Sequence, residues 1–197
     1  MDMGQGTAAT ELPLMELANR LEWEAWLRDN HDACAGVWLK LAKKGAPRGT
    51  VSQAEALEVA LCWGWIDGQV GALDEHFYRQ RFTHRRPRSK WSRINRDKVT
   101  RLIELGLMQP PGLEEIEKAK ADGRWDAAYE PQSSASVPPD FAQALAKNPE
   151  AEAFFATLTG ARRYAFLYRI SDAKRPETRA RRIEKFVALL AEQKTLN

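Results

Sequence analysis

Apolar positions along the chain follow two rhythms. From Leu14 to Asp29, Leu14, Leu17, Leu21, Trp26 and Leu27 recur at three- and four-residue steps, which predicts a helix ended by Asn30-His31-Asp32. The next stretch, GVWLKLA, alternates Val37, Leu39 and Leu41 against Trp38, Lys40 and Ala42, the period of a strand with one buried side. Ser52 and Glu55 form an S-x-x-E capping box that opens a helix over QAEALEVALCW and stops at Gly64. WIDGQVGALDEHFYRQRFTH then reads as two short strands. Trp65, Ile66 and Val70 lie in the first, Phe77, Arg79 and Arg81 alternate with Tyr78, Gln80 and Phe82 in the second, and Gly68, Gly71 and Asp74 supply turn and bulge chemistry.

Ser89 is the expected N-cap of a helix whose apolar face is Trp91, Ile94, Val99, Leu102 and Ile103, with Gly106 as its stop. Pro110-Pro111 opens another, proline being tolerated in a first turn. Beyond a Pro- and Ser-rich stretch the pattern is helical throughout, and the last helix carries Ile183, Phe186, Val187 and Leu190 on one face. The fold class expected is α+β: a small, antiparallel sheet of about three strands packed with helices, then an all-helical C-terminal subdomain. The corresponding divisions are a frayed tail over 1–13, a mixed domain over 14–130, a linker over 131–139 and the helical part over 140–197.

Composition narrows the class. At 197 residues, 44% apolar and 29% charged, the chain has the make-up of a globular protein that can bury a core. No apolar run approaches the roughly 18 residues of a membrane helix. The N-terminus has neither a basic nor an apolar leader region, and Cys34 and Cys62 are not spaced as a CxxC pair, so two reduced thiols and a cytoplasmic location are expected. His31, His76 and His84 lack ligand spacing, and neither a metal nor a cofactor is expected.

Charge changes the picture most. Arg79 to Arg101 holds ten basic side chains and a single acid, Asp97, a net +9 in a chain of net +3, so the remainder carries −6. Arg85, Arg86, Arg88 and Lys90 crowd the expected helix start, where the dipole already favours negative charge. A phosphate or carboxylate seated on the N–H groups after Ser89 and on guanidinium forks would relieve that crowding. Trp91, Phe82 and Tyr78 interleave with these arginines as in a base-stacking groove. The candidate anion- or nucleic-acid-binding set is Arg81, Arg85, Arg86, Arg88, Ser89, Trp91 and Arg93, with Trp65 as a further stacking surface. A second reading makes Asp67, in CWGWIDGQ, the general base of an enzyme acting on a phosphorylated or carboxylated small molecule. No P-loop, GxGxxG, HExxH or GxSxG motif accompanies it.

The blocks CWGWIDGQ, RFTHRRPRSKWSRIN, AKADGRWDAAY and YRISDAKRPETRARRIEKFV, in that order, resemble the YdeI/OmpD-associated family of bacteriocin-protection proteins over residues 14–190. His84 departs from that pattern, which has proline there. The resemblance implies a small bacterial protein of mixed α/β fold with a helical C-terminal part, and a role in tolerance of bacteriocins, antimicrobial peptides or envelope stress. It implies no catalytic residue. A chain lacking a leader would act indirectly in such a role, as a non-enzymatic binding protein or through a stress-response partner.

Overall fold

The computed structural model describes residues 11–196, which divide into two compact units. Among these, one contains residues 11–89 together with Asp97–Trp125; the other contains Lys90–Arg96 and residues 126–196.

The first unit is built on four strands in the order β1-β2-β4-β3: β1 Leu14–Glu16, β2 Gly36–Ala42, β3 Trp65–Ala72 and β4 Phe77–His84. Helices α1 (Arg20–Asn30), α2 (Gln53–Cys62), α3 (Arg93–Glu104) and α4 (Pro110–Ala121) complete the order up to residue 125. The sheet is mixed, because β1 runs parallel to β2 while β2–β4 and β3–β4 are antiparallel. This corrects the expectation of about three antiparallel strands. The helix expected from Leu14 is a three-residue edge strand followed by a shorter helix, which starts where Asn19 Oδ1 accepts from the Glu22 N–H at 3.1 Å. Leu21, assigned to the apolar stripe, is 73% exposed, whereas Leu27 is buried as expected, together with Trp23, which the stripe had left out.

Period-2 alternation in β2 holds: Val37, Leu39 and Leu41 are buried. They share a sheet face with Phe82, Gln80 and Tyr78, their register partners on β4. Trp23 of α1 packs against this face, edge-on to Trp65 at 6.2 Å and to Phe82 at 5.8 Å. Its indole N–H donates to the Ala56 carbonyl of α2 at 3.0 Å, tying the two helices together. Ser52 and Glu55 form the reciprocal capping box at the start of α2. Gly64, at φ +74°, turns the chain from α2 into β3, a left-handed conformation that a side chain would strain. Between β3 and β4, Asp74 Oδ1 accepts from the N–H groups of His76 and Phe77 at 2.8 and 2.7 Å.

Helix α3 begins at Arg93, three residues later than expected, and the hydroxyl that accepts from its first turn belongs to Ser92, with the Asn95 N–H at 3.2 Å.

In the second unit α5 (Pro139–Ala146), α6 (Pro149–Thr157), α7 (Gly160–Ser171) and α8 (Pro176–Ala191) enclose a core of Phe141, Leu145, Phe155, Phe166, Ile170, Phe186 and Leu190. Its phenylalanines meet edge to face, as ring quadrupoles favour. Lys90–Arg96 joins this unit through a bridge between Ser92 and Tyr129 and an Arg93–Glu130 ion pair at 2.8 Å. No helix among the described residues is long and apolar enough to cross a membrane.

Candidate functional site

Antiparallel register assigns each side chain of β4 to a face. Phe82 and Gln80 point to the helix-covered side and are buried. Arg79, Arg81 and Thr83 point the other way and are half-buried. Their partners on β2 are Lys40, Trp38 and Gly36, and those on β3 for Arg79 and Thr83 are Gly71 and Ile66. The sheet therefore has one apolar face and one face bearing Trp38, Lys40, Arg79 and Arg81.

On that second face the guanidinium of Arg79 lies over the Trp38 ring, 4.6 Å from its centroid. The two arginines lie down against β3 because β3 has glycines beneath them. A Cβ on Gly71 would stand 3.0 Å from Arg79 Nε, and one on Gly68 would stand 3.4 Å from Arg81 Nε. Both Nε atoms are shielded from solvent, and no described residue accepts a hydrogen bond from either. The acid of this face, Glu16, is already held by Lys40 at 3.0 Å and Arg48 at 2.6 Å, and these two cations lower its pKa. Lys40 also stands over the Phe77 ring at 4.0 Å.

The candidate residues named from the sequence are thus separated. Arg81 is half-buried on the sheet face opposite the apolar one. Arg85 follows β4 and is buried, its N–H donating to the Gly64 carbonyl at 3.1 Å. Arg86 and Arg88 are exposed in the turn that the Ser89 N–H closes on the Arg86 carbonyl at 2.8 Å. Ser89 does not cap α3, and its carbonyl accepts from Arg124 at 3.0 Å. The helix-dipole argument consequently does not reach Arg85, Arg86 or Arg88. Arg93, at the helix start, is ion-paired with Glu130. Trp65 is fully buried among Trp23, Trp26 and His84, and Trp91 is 2% exposed, so neither offers a ring face to a base. Trp38, Lys40 and Arg79 were absent from the candidate set, although the alternation of β2 and β4 already places them opposite the apolar positions.

Asp67 shares the helix-covered face with Phe82, away from Arg79 and Arg81. Its carboxylate accepts from Gln80 Nε2 at 2.9 Å. Burial pushes its pKa up, against the lowering effect of its hydrogen bonds and of the Arg85 charge. A surface hollow of about 370 Å³ lies along α1, lined by Leu21, Glu24, Ala25, Arg28, Trp63 and Gln109, and includes none of the cationic segment. Among the described residues no group of three or more His, Cys, Asp and Glu side chains is placed to hold a metal ion.

Fold and site together define an α+β protein with a four-stranded mixed sheet, one cationic sheet face and a C-terminal helical unit. Residues 15–115 match the family described as Domain of unknown function (DUF8412), to which the chain belongs over half its length. Residues 134–193 match the family described as Bacteriocin-protection, YdeI or OmpD-Associated, so the resemblance carried by YRISDAKRPETRARRIEKFV is confirmed. The blocks CWGWIDGQ and RFTHRRPRSKWSRIN fall within the first match rather than the second. The second match suggests a bacteriocin-protection-type role. Comparisons with curated proteins and with solved structures find no match.

Proposed function

We propose that this protein is a non-enzymatic binding protein that holds phosphate-bearing anions on the exposed face of its sheet, and that this binding underlies a bacteriocin-protection-type role. The observation that carries the reading is the pair Arg79 and Arg81, two guanidiniums on one strand face whose Nε–H groups lack an acceptor. Adjacent cations without a carboxylate repel each other, and unmade hydrogen bonds from charged donors are costly. A phosphate on the guanidinium forks offsets the repulsion, and supplies an acceptor once the side chains turn their shielded Nε–H groups toward it.

The catalytic alternative draws less support, since Asp67 lies on the opposite sheet face and is occupied by Gln80. A reducing compartment, the cytoplasm, suits the two free thiols.

Calorimetric titration of the wild type and of the Arg79→Ala/Arg81→Ala variant with pyrophosphate at low salt tests the reading. Binding by the wild type that is lost in a folded variant supports it, and equal heats in both proteins refute it.

A further inference from the structure

We infer that the ligand of the cationic sheet face is single-stranded nucleic acid, an assignment that rests on the anion-binding reading above. The first ground is flatness. Gly68 and Gly71 remove side chains from β3 where Arg79 and Arg81 cross it, so the guanidiniums lie along the sheet instead of standing off it. The second is the stacked pair itself. With Trp38 beneath it at 4.6 Å, the Arg79 guanidinium is held as a planar cation over an aromatic ring. Unpaired bases stack on such planes, aromatic or guanidinium, without regard to sequence.

Spacing is the third ground. Arg79 and Arg81 are two residues apart on one strand, about 6.8 Å, an interval comparable to the phosphate repeat of an extended single strand. Past the end of β4 the chain continues into Arg86 and Arg88, exposed cations in the turn that follows. On the other side Glu16 is masked by Lys40 and Arg48, so the neighbouring acid does not repel a backbone phosphate. A duplex gains little here. Its bases are already stacked inside, and the face projects no helix or ribbon into a groove.

Fluorescence anisotropy of a labelled single-stranded oligonucleotide, DNA and RNA, is compared with the duplex of the same sequence and with competing polyphosphate at two salt concentrations. Single strands are expected to bind about tenfold more tightly than duplex, in line with one or two stacked bases. Arg81→Ala is expected to reduce the salt slope of log K by about 0.7, the loss of one phosphate contact. Arg79→Lys, which keeps the charge but neither the plane nor the fork, should weaken polyphosphate binding far less than single-strand binding and so abolish most of the single-strand preference. Trp38→Leu should do the same. Polyphosphate binding with no preference for single strands would overturn this inference while leaving the anion site standing. An absence of binding to any of the polyanions at low salt would overturn both.

Discussion

Arg179 of α8 grips Asp140 of α5 with two parallel hydrogen bonds, Nε to Oδ2 at 2.5 Å and Nη2 to Oδ1 at 2.8 Å, and its third nitrogen reaches the Ile170 carbonyl of α7 at 3.0 Å. One side chain thus ties the start of α5 to the end of α7. Arg182 of α8 adds a hydrogen bond to the Arg169 carbonyl of α7. The cationic cluster YRISDAKRPETRARR is in part a set of clamps for the carbonyls that end α7.

Arg179→Ala should therefore destabilise the second unit, by about 1–2 kcal/mol for three lost hydrogen bonds at a partly exposed site. Arg179→Lys should recover little, because a single ammonium cannot span both oxygens and the carbonyl. Urea denaturation followed by circular dichroism measures both. The hydrogen bond to Arg179 holds the Asp140 carboxyl below its ordinary pKa. Its contribution is present above the unfolded-chain value of about 3.9 and is lost as pH falls through the lower folded value. The gap in stability between wild type and Asp140→Asn should accordingly narrow as pH falls below the unfolded value near 3.9, modestly in size because Asp140 is 44% exposed.

Among the described glycines, Gly112 of α4 is the one where an added Cβ would meet a neighbour most closely. A Cβ there would lie 2.2 Å from the Cys62 carbonyl oxygen at the end of α2. Gly112→Ala must push α4 off α2, at a cost of about 3 kcal/mol, the upper end for overpacked sites. Gly123→Ala meets no atom within 4 Å but sits at φ +77°, so it should cost only about 1 kcal/mol of backbone strain. Chemical denaturation midpoints of the two variants should rank in that order.

Asp67 lies between burial, which raises its pKa, and the weaker opposing pull of its hydrogen bonds and Arg85. A carboxyl with a raised folded pKa subtracts stability once pH exceeds the unfolded value near 3.9, because the unfolded chain then releases its proton more readily. Asp67→Asn keeps an acceptor for Gln80 and should raise the melting temperature at pH 7, with no difference at pH 3. A lower melting temperature at pH 7 would show that pairing with Arg85 outweighs burial.

Cys62 is buried, which pushes its thiol up to about 11, whereas Cys34 is half-buried and its thiol donates to the Gly36 carbonyl at 3.1 Å. A thiolate is the reactive form. Native protein treated with a disulfide reagent at pH 8 should modify Cys34 first and leave Cys62 unmodified until denaturant is added, as mass spectrometry of the peptides would show.

Local signals carried much of this fold. The alternation of β2, the capping box at Ser52 and Glu55, the stops at Gly64 and Gly106 and the C-terminal helices all depend on residues within a turn or two of each other. β1 does not: Leu14–Glu16 becomes a strand only by pairing with Trp38–Lys40, while Leu14, Leu17 and Leu21 happen to keep helical spacing. The start of α3 was misplaced at Ser89, because the backbone bonds between Trp91, Arg93 and Tyr129 that set it at Ser92 reach more than thirty residues onward. The cationic segment was legible as a charge count. Its division among a sheet face, a buried position, a turn and an ion pair was not, because only the register of β4 against β2 and β3 decides which arginines share a face with Trp38.

The most direct measurement is a two-dimensional ¹H–¹⁵N spectrum of the arginine Nε–H groups during titration with pyrophosphate. The resonances of Arg79 and Arg81, with the Trp38 indole, should shift together and saturate, while that of Arg179, already bound to Asp140, stays in place. Saturable shifts confined to other arginines, with Arg79 and Arg81 unmoved, would contradict an anion site on the exposed face of the sheet.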